Sequence, residues 1–165
     1  MDNTKEKFSL IYDQYIEKIY RFVYLKVNSQ PIAEDLTSKV FLKVWEAYSK
    51  GQDIKNWGAF LYQTARNTVV DYYREKGNKK VVSIDYAGQL AETNNNPHEQ
   101  AVLGADIEAI KSVIFTLKPE YQDVLIWYYL EDMSAEQIAQ MLDKSAGSVR
   151  VLIHRALEAL KAKMP

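Results

Sequence analysis

The chain has 165 residues, 47% of them hydrophobic and 26% charged, with no cysteine and a formal net charge of −1. That composition suits one ordinary domain or two small ones with real cores, and it excludes disulfide frameworks, thiolate metal sites and thiol nucleophiles. A near-neutral charge excludes a protein that coats nucleic acid indiscriminately, and the longest apolar run, Val124 to Leu130, is far too short to cross a bilayer.

No signal-peptide pattern precedes the first amphipathic stretch, so a cytoplasmic location without membrane insertion is expected. The spacing of Phe8, Ile11, Tyr12, Tyr15, Ile19, Phe22 and Val23 predicts a first helix that ends near Asn28. Pro31 suits the first turn of a second helix, whose stripe is Leu36, Val40, Val44 and Ala47 and which stops before Gly51. A third helix begins around Asp53 to Asn56 and runs to about Lys76, stopped by Gly77 and Asn78. Its packing face is Leu61, Ala65, Val69 and Tyr72, opposite a polar stripe of Gln63, Asn67, Asp71 and Arg74.

Residues 78–100 change character: Asn, Gly and Pro supply breakers, and only the short run Val81 to Tyr86 looks strand-like. The fold class expected is therefore all-α: two small helical domains, 1–77 and 101–165, joined by a flexible linker over 78–100, with a helix-turn-helix in the second. Such a linker reaches about 75 Å when extended and about 25 Å as a coil, so the domains are free to sit apart or together.

Beyond the linker, Leu103, Ile107, Ile110, Ile114 and Leu117 mark a fourth helix, and Pro119 opens a fifth that carries Val124, Leu125 and Tyr128. Ser134 with Gln137 forms a capping box for a short helix bearing Ile138, Ala139 and Leu142. Ser145 then caps a last helix bearing Val149, Leu152, Ile153, Ala156 and Leu160.

The segment Ser134 to Lys161 thus has helix, tight turn, helix spacing, with Asp143-Lys144 at the turn. Charge divides at the same place. Residues 104–143 hold two bases against eight acids, whereas 144–165 hold five bases against Glu158 alone. A recognition helix enters the major groove by its first turns, which places Ser148, Arg150, Val151 and His154 at base edges and Arg155 and Lys161 at phosphates. A plain helical hairpin with a basic end accounts for Lys161 and Lys163 through the helix dipole. It leaves unexplained a cation at Arg150, near the positive end of that dipole.

Four blocks resemble one family. Ala33-Glu34-Asp35-Leu36-Thr37 with Val40-Phe41-Leu42-Lys43-Val44-Trp45 looks like the polymerase-binding helix of extracytoplasmic-function sigma factors of the sigma-seventy family. Phe60-Leu61-Tyr62-Gln63-Thr64-Ala65-Arg66-Asn67, followed by Asp71 and Arg74, resembles that family's promoter-melting helix. Pro119 to Leu130 with Ser134 to Ala139, and Gly147-Ser148-Val149-Arg150 with His154-Arg155-Ala156, resemble its C-terminal domain.

The resemblance implies a sigma factor that binds RNA polymerase core and directs promoter recognition, melting and initiation. Asp35, Ser38, Lys39, Leu42 and Trp45 would meet polymerase; Trp57, Gln63, Asn67, Asp71 and Arg74 the minus-ten element; and Ser148, Arg150, Val151, His154 and Arg155 the minus-thirty-five element. Near the third helix Trp57, Phe60, Tyr62 and Tyr73 supply aromatic faces that stack on unpaired bases, and the loop Ser49 to Asn56 would form a pocket for an extruded base. Trp45 also suits core packing. The partners implied are polymerase core, promoter DNA and an anti-sigma factor.

Four sites depart from the family pattern: Ser38-Lys39 stands where Gln-Glu is usual, Val151-Leu152 where Ser-Arg is common, Asp143 where glycine often sits, and Trp57 and Phe60 are exchanged relative to a frequent Phe and Trp arrangement. No catalytic constellation is visible, since His98 and His154 lie in different segments and no HExxH spacing occurs. Neither an enzyme nor a metal or other cofactor is expected. The alternatives are a stand-alone helix-turn-helix regulator whose N-terminal bundle dimerises or binds an effector, and a helical adaptor with no DNA role.

Overall fold

A computed structural model describes residues 3–77 and 105–164, and among these it contains helices and no strand. The first three are α1 Asn3–Val27, α2 Gln30–Ser49 and α3 Trp57–Gly77. The next are α4 Ala105–Thr116 and α5 Pro119–Leu125, the latter running into a π-helical turn, Ile126–Leu130. The helix-turn-helix pair is α6 Ala135–Leu142 and α7 Ala146–Lys163. The expected linker 78–100, its strand-like run Val81 to Tyr86, and Leu103 lie outside the described residues.

Local chemistry sets the joints. Asn28 adopts φ +54°, a left-handed stop that Asn tolerates better than most residues, and its N–H bonds the Tyr24 carbonyl at 2.7 Å. Ser29 then caps α2 by accepting from the Ile32 N–H, with Pro31 inside the first turn where its missing donor costs nothing. Past α2, Gly51 takes φ +100°, a conformation that side chains rarely adopt. Asn56 opens α3 by accepting from the Ala59 N–H at 3.0 Å.

The apolar stripes close as their spacing predicts, except that Tyr12 of the α1 stripe stands exposed. Ile19, Phe22 and Val23 of α1, Leu36, Val40 and Val44 of α2, and Leu61, Ala65 and Val69 of α3 are buried together. In the second domain α7 packs on α5 and α6 through Val149, Ile153 and Ala156, which meet Val124, Leu125 and Ile138 in the same core. Tyr128 departs from expectation. The helical stripe predicts it on the buried side of the fifth helix, but it is exposed. The π turn is the reason: the Glu131 N–H reaches back five residues to the Ile126 carbonyl, and this wider turn shifts the register of the side chains it carries. Trp127 points inward as a result, while Tyr128, Tyr129 and Leu130 face out.

That tryptophan joins the two domains. Trp127 is fully buried, stacked on Phe22 of α1 at 5.5 Å and 3°, with Tyr62 of α3 edge-on at 5.6 Å. Charges complete the junction. Asp123 of α5 is buried with one carboxylate oxygen on the Lys26 ammonium and the other 2.8 Å from Arg66 Nε. Arg21 grips Glu131 with two donors at 2.8 and 3.0 Å, and Lys111 of α4 donates to the Tyr24 hydroxyl at 2.7 Å. Burial pulls the Lys26 ammonium below its ordinary pKa, and Asp123 opposes that pull. The sequence leaves the placement of the domains open; in the structure they share one core.

Candidate nucleic-acid interface

The helix-turn-helix is set by three local devices. Ser134 Oγ accepts from the Gln137 N–H at 3.1 Å while Gln137 Oε1 accepts from the Ser134 N–H at 2.9 Å, so two orphan donors at the start of α6 are satisfied reciprocally. Asp143 ends α6 in the left-handed region, φ 54° and ψ 49°, which is the work that glycine often does at this position. Ser145 caps α7 by accepting from the Ser148 N–H at 3.1 Å.

With Val149, Ile153 and Ala156 turned inward, α7 presents Ser148, Arg150, Val151, His154 and Arg155 to solvent, all of them exposed. Shallow grooves flank the helix. One of about 500 Å³ runs between Tyr128, Tyr129 and Glu136 on one side and Arg150 and His154 on the other. Another of about 330 Å³ includes Lys144, Ser148, Val151 and Arg155. Arg150 has an in-chain partner that the sequence did not reveal: its guanidinium pairs with Glu136 of α6. The Glu136 carboxylate thus lies beside the cation at the positive end of the α7 dipole. Both side chains are about 60% exposed, so the pair contributes little to stability.

On α3, Gln63, Asn67, Asp71 and Arg74 lie on an exposed stripe, as expected. Asp71 and Arg74 face each other at 3.8 Å across one turn, a solvated contact. Gln63 is engaged: its amide donates to the Met141 carbonyl of α6 at 3.0 Å. Trp57 is half-buried, with its ring against Phe8 at 6.4 Å and Tyr48 at 4.9 Å. The aromatic expectation needs one correction. Tyr62 does not offer a face to bases here, because it is buried between Phe22 and Trp127, and this burial drives its phenol well above the ordinary pKa. Phe60 is half-buried, while Tyr73 keeps an exposed edge and donates to the Lys26 carbonyl at 2.8 Å. The loop ahead of α3 borders a polar cavity of about 250 Å³ shared by Tyr15, Lys18, Asn56 and Gly58 with Glu131, Gln137 and Gln140 of the second domain.

The third set lies on α2. Asp35, Ser38, Lys39 and Leu42 are exposed, with Asp35 and Lys39 paired at 3.5 Å, on a face distinct from the buried Leu36, Val40 and Val44. Trp45 stands half-buried at the edge of that face, 5.1 Å from the Phe8 ring. One further charged residue on α3 did not enter the predicted site. Arg66, three residues after Gln63, is bound by Asp123, a partner 57 positions away that no local pattern announces.

Two family models match the chain. Sigma-70 region 2 matches residues 11–79 and Sigma-70, region 4 matches residues 107–160. Among relatives, the ECF RNA polymerase sigma factor BldN of Streptomyces coelicolor is 27% identical over 164 residues, covering 97% of this chain and 61% of that protein. The ECF RNA polymerase sigma factor SigM of Bacillus subtilis is 26% identical over 156 residues, covering 92% of this chain and 91% of its own length. Among solved structures, the sigma factor RpoE in complex with the anti-sigma factor NepR, from Bartonella quintana, shares the fold at a TM-score of 0.67 and 16% identity, over 98% of this chain and 96% of that one. The chain belongs to the sigma-70 family, in its extracytoplasmic-function group. The region 2 match covers the N-terminal bundle and supports this reading over a stand-alone regulator.

Proposed function

We propose that this chain binds RNA polymerase core and directs promoter recognition, strand opening and initiation, with its three exposed faces divided among three partners. The observation that carries the division is that α2, α3 and α7 each bury one face and leave a polar or charged face outside. Asp35, Ser38, Lys39, Leu42 and Trp45 serve the polymerase. Trp57, Gln63, Asn67, Asp71 and Arg74 serve the minus-ten strand, and Ser148, Arg150, Val151, His154 and Arg155 the minus-thirty-five duplex.

No bond is made or broken by the chain itself. Tighter binding of an opened strand than of duplex shifts the melting equilibrium by the difference in affinity alone. The chain works where the polymerase works, in the cytoplasm, and an anti-sigma protein is a natural further partner, as NepR is for RpoE of Bartonella quintana.

Purified chain mixed with core polymerase and genomic templates tests this directly. The expected result is co-purification with core and transcripts that core alone does not make. Binding to duplex DNA with no affinity for core would instead establish a stand-alone regulator.

A further inference from the structure

Glu136 lies in the first turn of α6, where a carboxylate suits the positive end of the helix dipole. Its side chain does more than face that dipole. It crosses to α7 and accepts from Nη2 of Arg150, in the groove that also holds His154. Since both groups are about 60% exposed, the contact adds little to stability. It does set a carboxylate on the surface assigned to the minus-thirty-five duplex, where it meets phosphates of its own sign and lowers affinity for DNA of any sequence. The dipole of α6 accounts for an acid at this position, but not for its reach to Arg150.

Both ends of the pair are held in place. The capping box of Ser134 and Gln137 orders the turn that carries Glu136, and Ser145 caps the turn that leads to Arg150. Within residues 146–152 of α7, Arg150 is the only cation. Its planar fork of donors suits guanine O6 and N7 with two bonds, and it suits a phosphate equally well. Only the first of these contacts carries sequence information. A carboxylate that takes one edge of the fork leaves the remaining donors aimed in a set direction and holds the guanidinium back from the backbone.

We propose that Glu136 is a positioning residue that determines specificity: it keeps the Arg150 fork turned to base edges in the major groove and away from phosphates. The inference rests on the assignment of α7 to the minus-thirty-five duplex. Loss of the carboxylate then moves two quantities in opposite directions, with discrimination falling while affinity for unrelated DNA rises. A pair that only stabilised the helix-turn-helix would not do this.

The test uses holoenzyme reconstituted with the full chain carrying Glu136→Ala, Arg150→Ala or both. Each is offered a pool of promoter duplexes randomised at the minus-thirty-five positions. The base pair whose preference is lost in Arg150→Ala is the one that Arg150 reads. At that base pair Glu136→Ala should lower discrimination about tenfold, the scale of one bidentate contact. On duplex of unrelated sequence the same variant should bind more tightly, and its logarithmic salt dependence should steepen by about 0.9, the value for one added phosphate contact on B-form DNA. Adding Arg150→Ala should erase both the tighter binding and the steeper slope.

An undiminished preference at that base pair, a loss confined to other base pairs, or tighter binding that survives Arg150→Ala overturns the proposal. If Arg150→Ala leaves every preference of the wild-type holoenzyme intact, the assignment of Arg150 to base reading fails, and the positioning role falls with it; the two failures are thereby told apart.

Discussion

Trp127 shows how much of this molecule depends on single side chains. Truncating it to alanine removes the ring shared by Phe22 and Tyr62, and denaturant unfolding should show a loss of about 3–5 kcal/mol. Tyr62 gives a cleaner signature. Because burial raises its pKa, the unfolded chain ionises at the ordinary tyrosine value while the folded chain stays neutral. This contribution to stability is complete below about pH 10 and declines as pH rises beyond it. Tyr62→Phe removes that dependence, so melting temperatures followed from about pH 8 to 11 should fall less steeply for the variant; parallel curves would contradict the burial argument. On the DNA side, Arg150→Ala should cost about 1–3 kcal/mol in binding to minus-thirty-five duplex, read by gel shift of holoenzyme. Asn67→Ala should chiefly reduce permanganate-detected opening, and identical defects would argue against separate roles. The outward residues of α7 are legible in the sequence because their exposure follows from helical period and caps alone. Arg66, Asp123 and the burial of Tyr62 are not, since their partners lie 57 to 97 positions away or in the other domain.

Helix ends are readable from sequence where a cap or breaker acts locally: Asn28, Gly51, Ser134, Asp143 and Ser145 all fall where their chemistry predicts. The π turn after α5 is not readable in this way. Its sequence, Ile-Trp-Tyr-Tyr-Leu, supports an ordinary helix equally well, and the wide turn accompanies the burial of Trp127 between rings supplied by α1 and α3. Three substitutions test the caps. Ser134→Ala removes the hydroxyl that accepts from the Gln137 N–H, one half of the capping box, and should lower stability by about 1 kcal/mol in thermal melts. Asp143→Gly relieves a left-handed backbone and should raise the melting temperature slightly, whereas Asp143→Val should lower it, because a β-branched side chain is poorly tolerated at φ 54°. The opposite order of these two variants would mean that the turn is not held as described.

Across the whole molecule, the shared core predicts cooperative behaviour. Heat unfolding should give one transition, coincident by tryptophan fluorescence and far-ultraviolet circular dichroism, even though the chain has the two-domain plan of its family. Asp123→Ala strands the Lys26 ammonium in the core and should cost about 3–5 kcal/mol, or split the unfolding into two steps. Domain placement is beyond the sequence because the expected linker length permits both arrangements; the one available hint is the acidic excess of 104–143, part of which meets Arg21, Lys26 and Arg66. The division of α7 into a buried anchoring face and the exposed face proposed to read DNA has a longer reach. Since Val149, Ile153 and Ala156 hold the helix while Ser148, Val151, His154 and Arg155 stand in solvent, replacements among the latter leave the scaffold within about 0.5 kcal/mol of its starting stability. A duplicated copy of such a gene is thus able to acquire a new set of target operons through a few substitutions on one helix, keeping its grip on the same transcription machine.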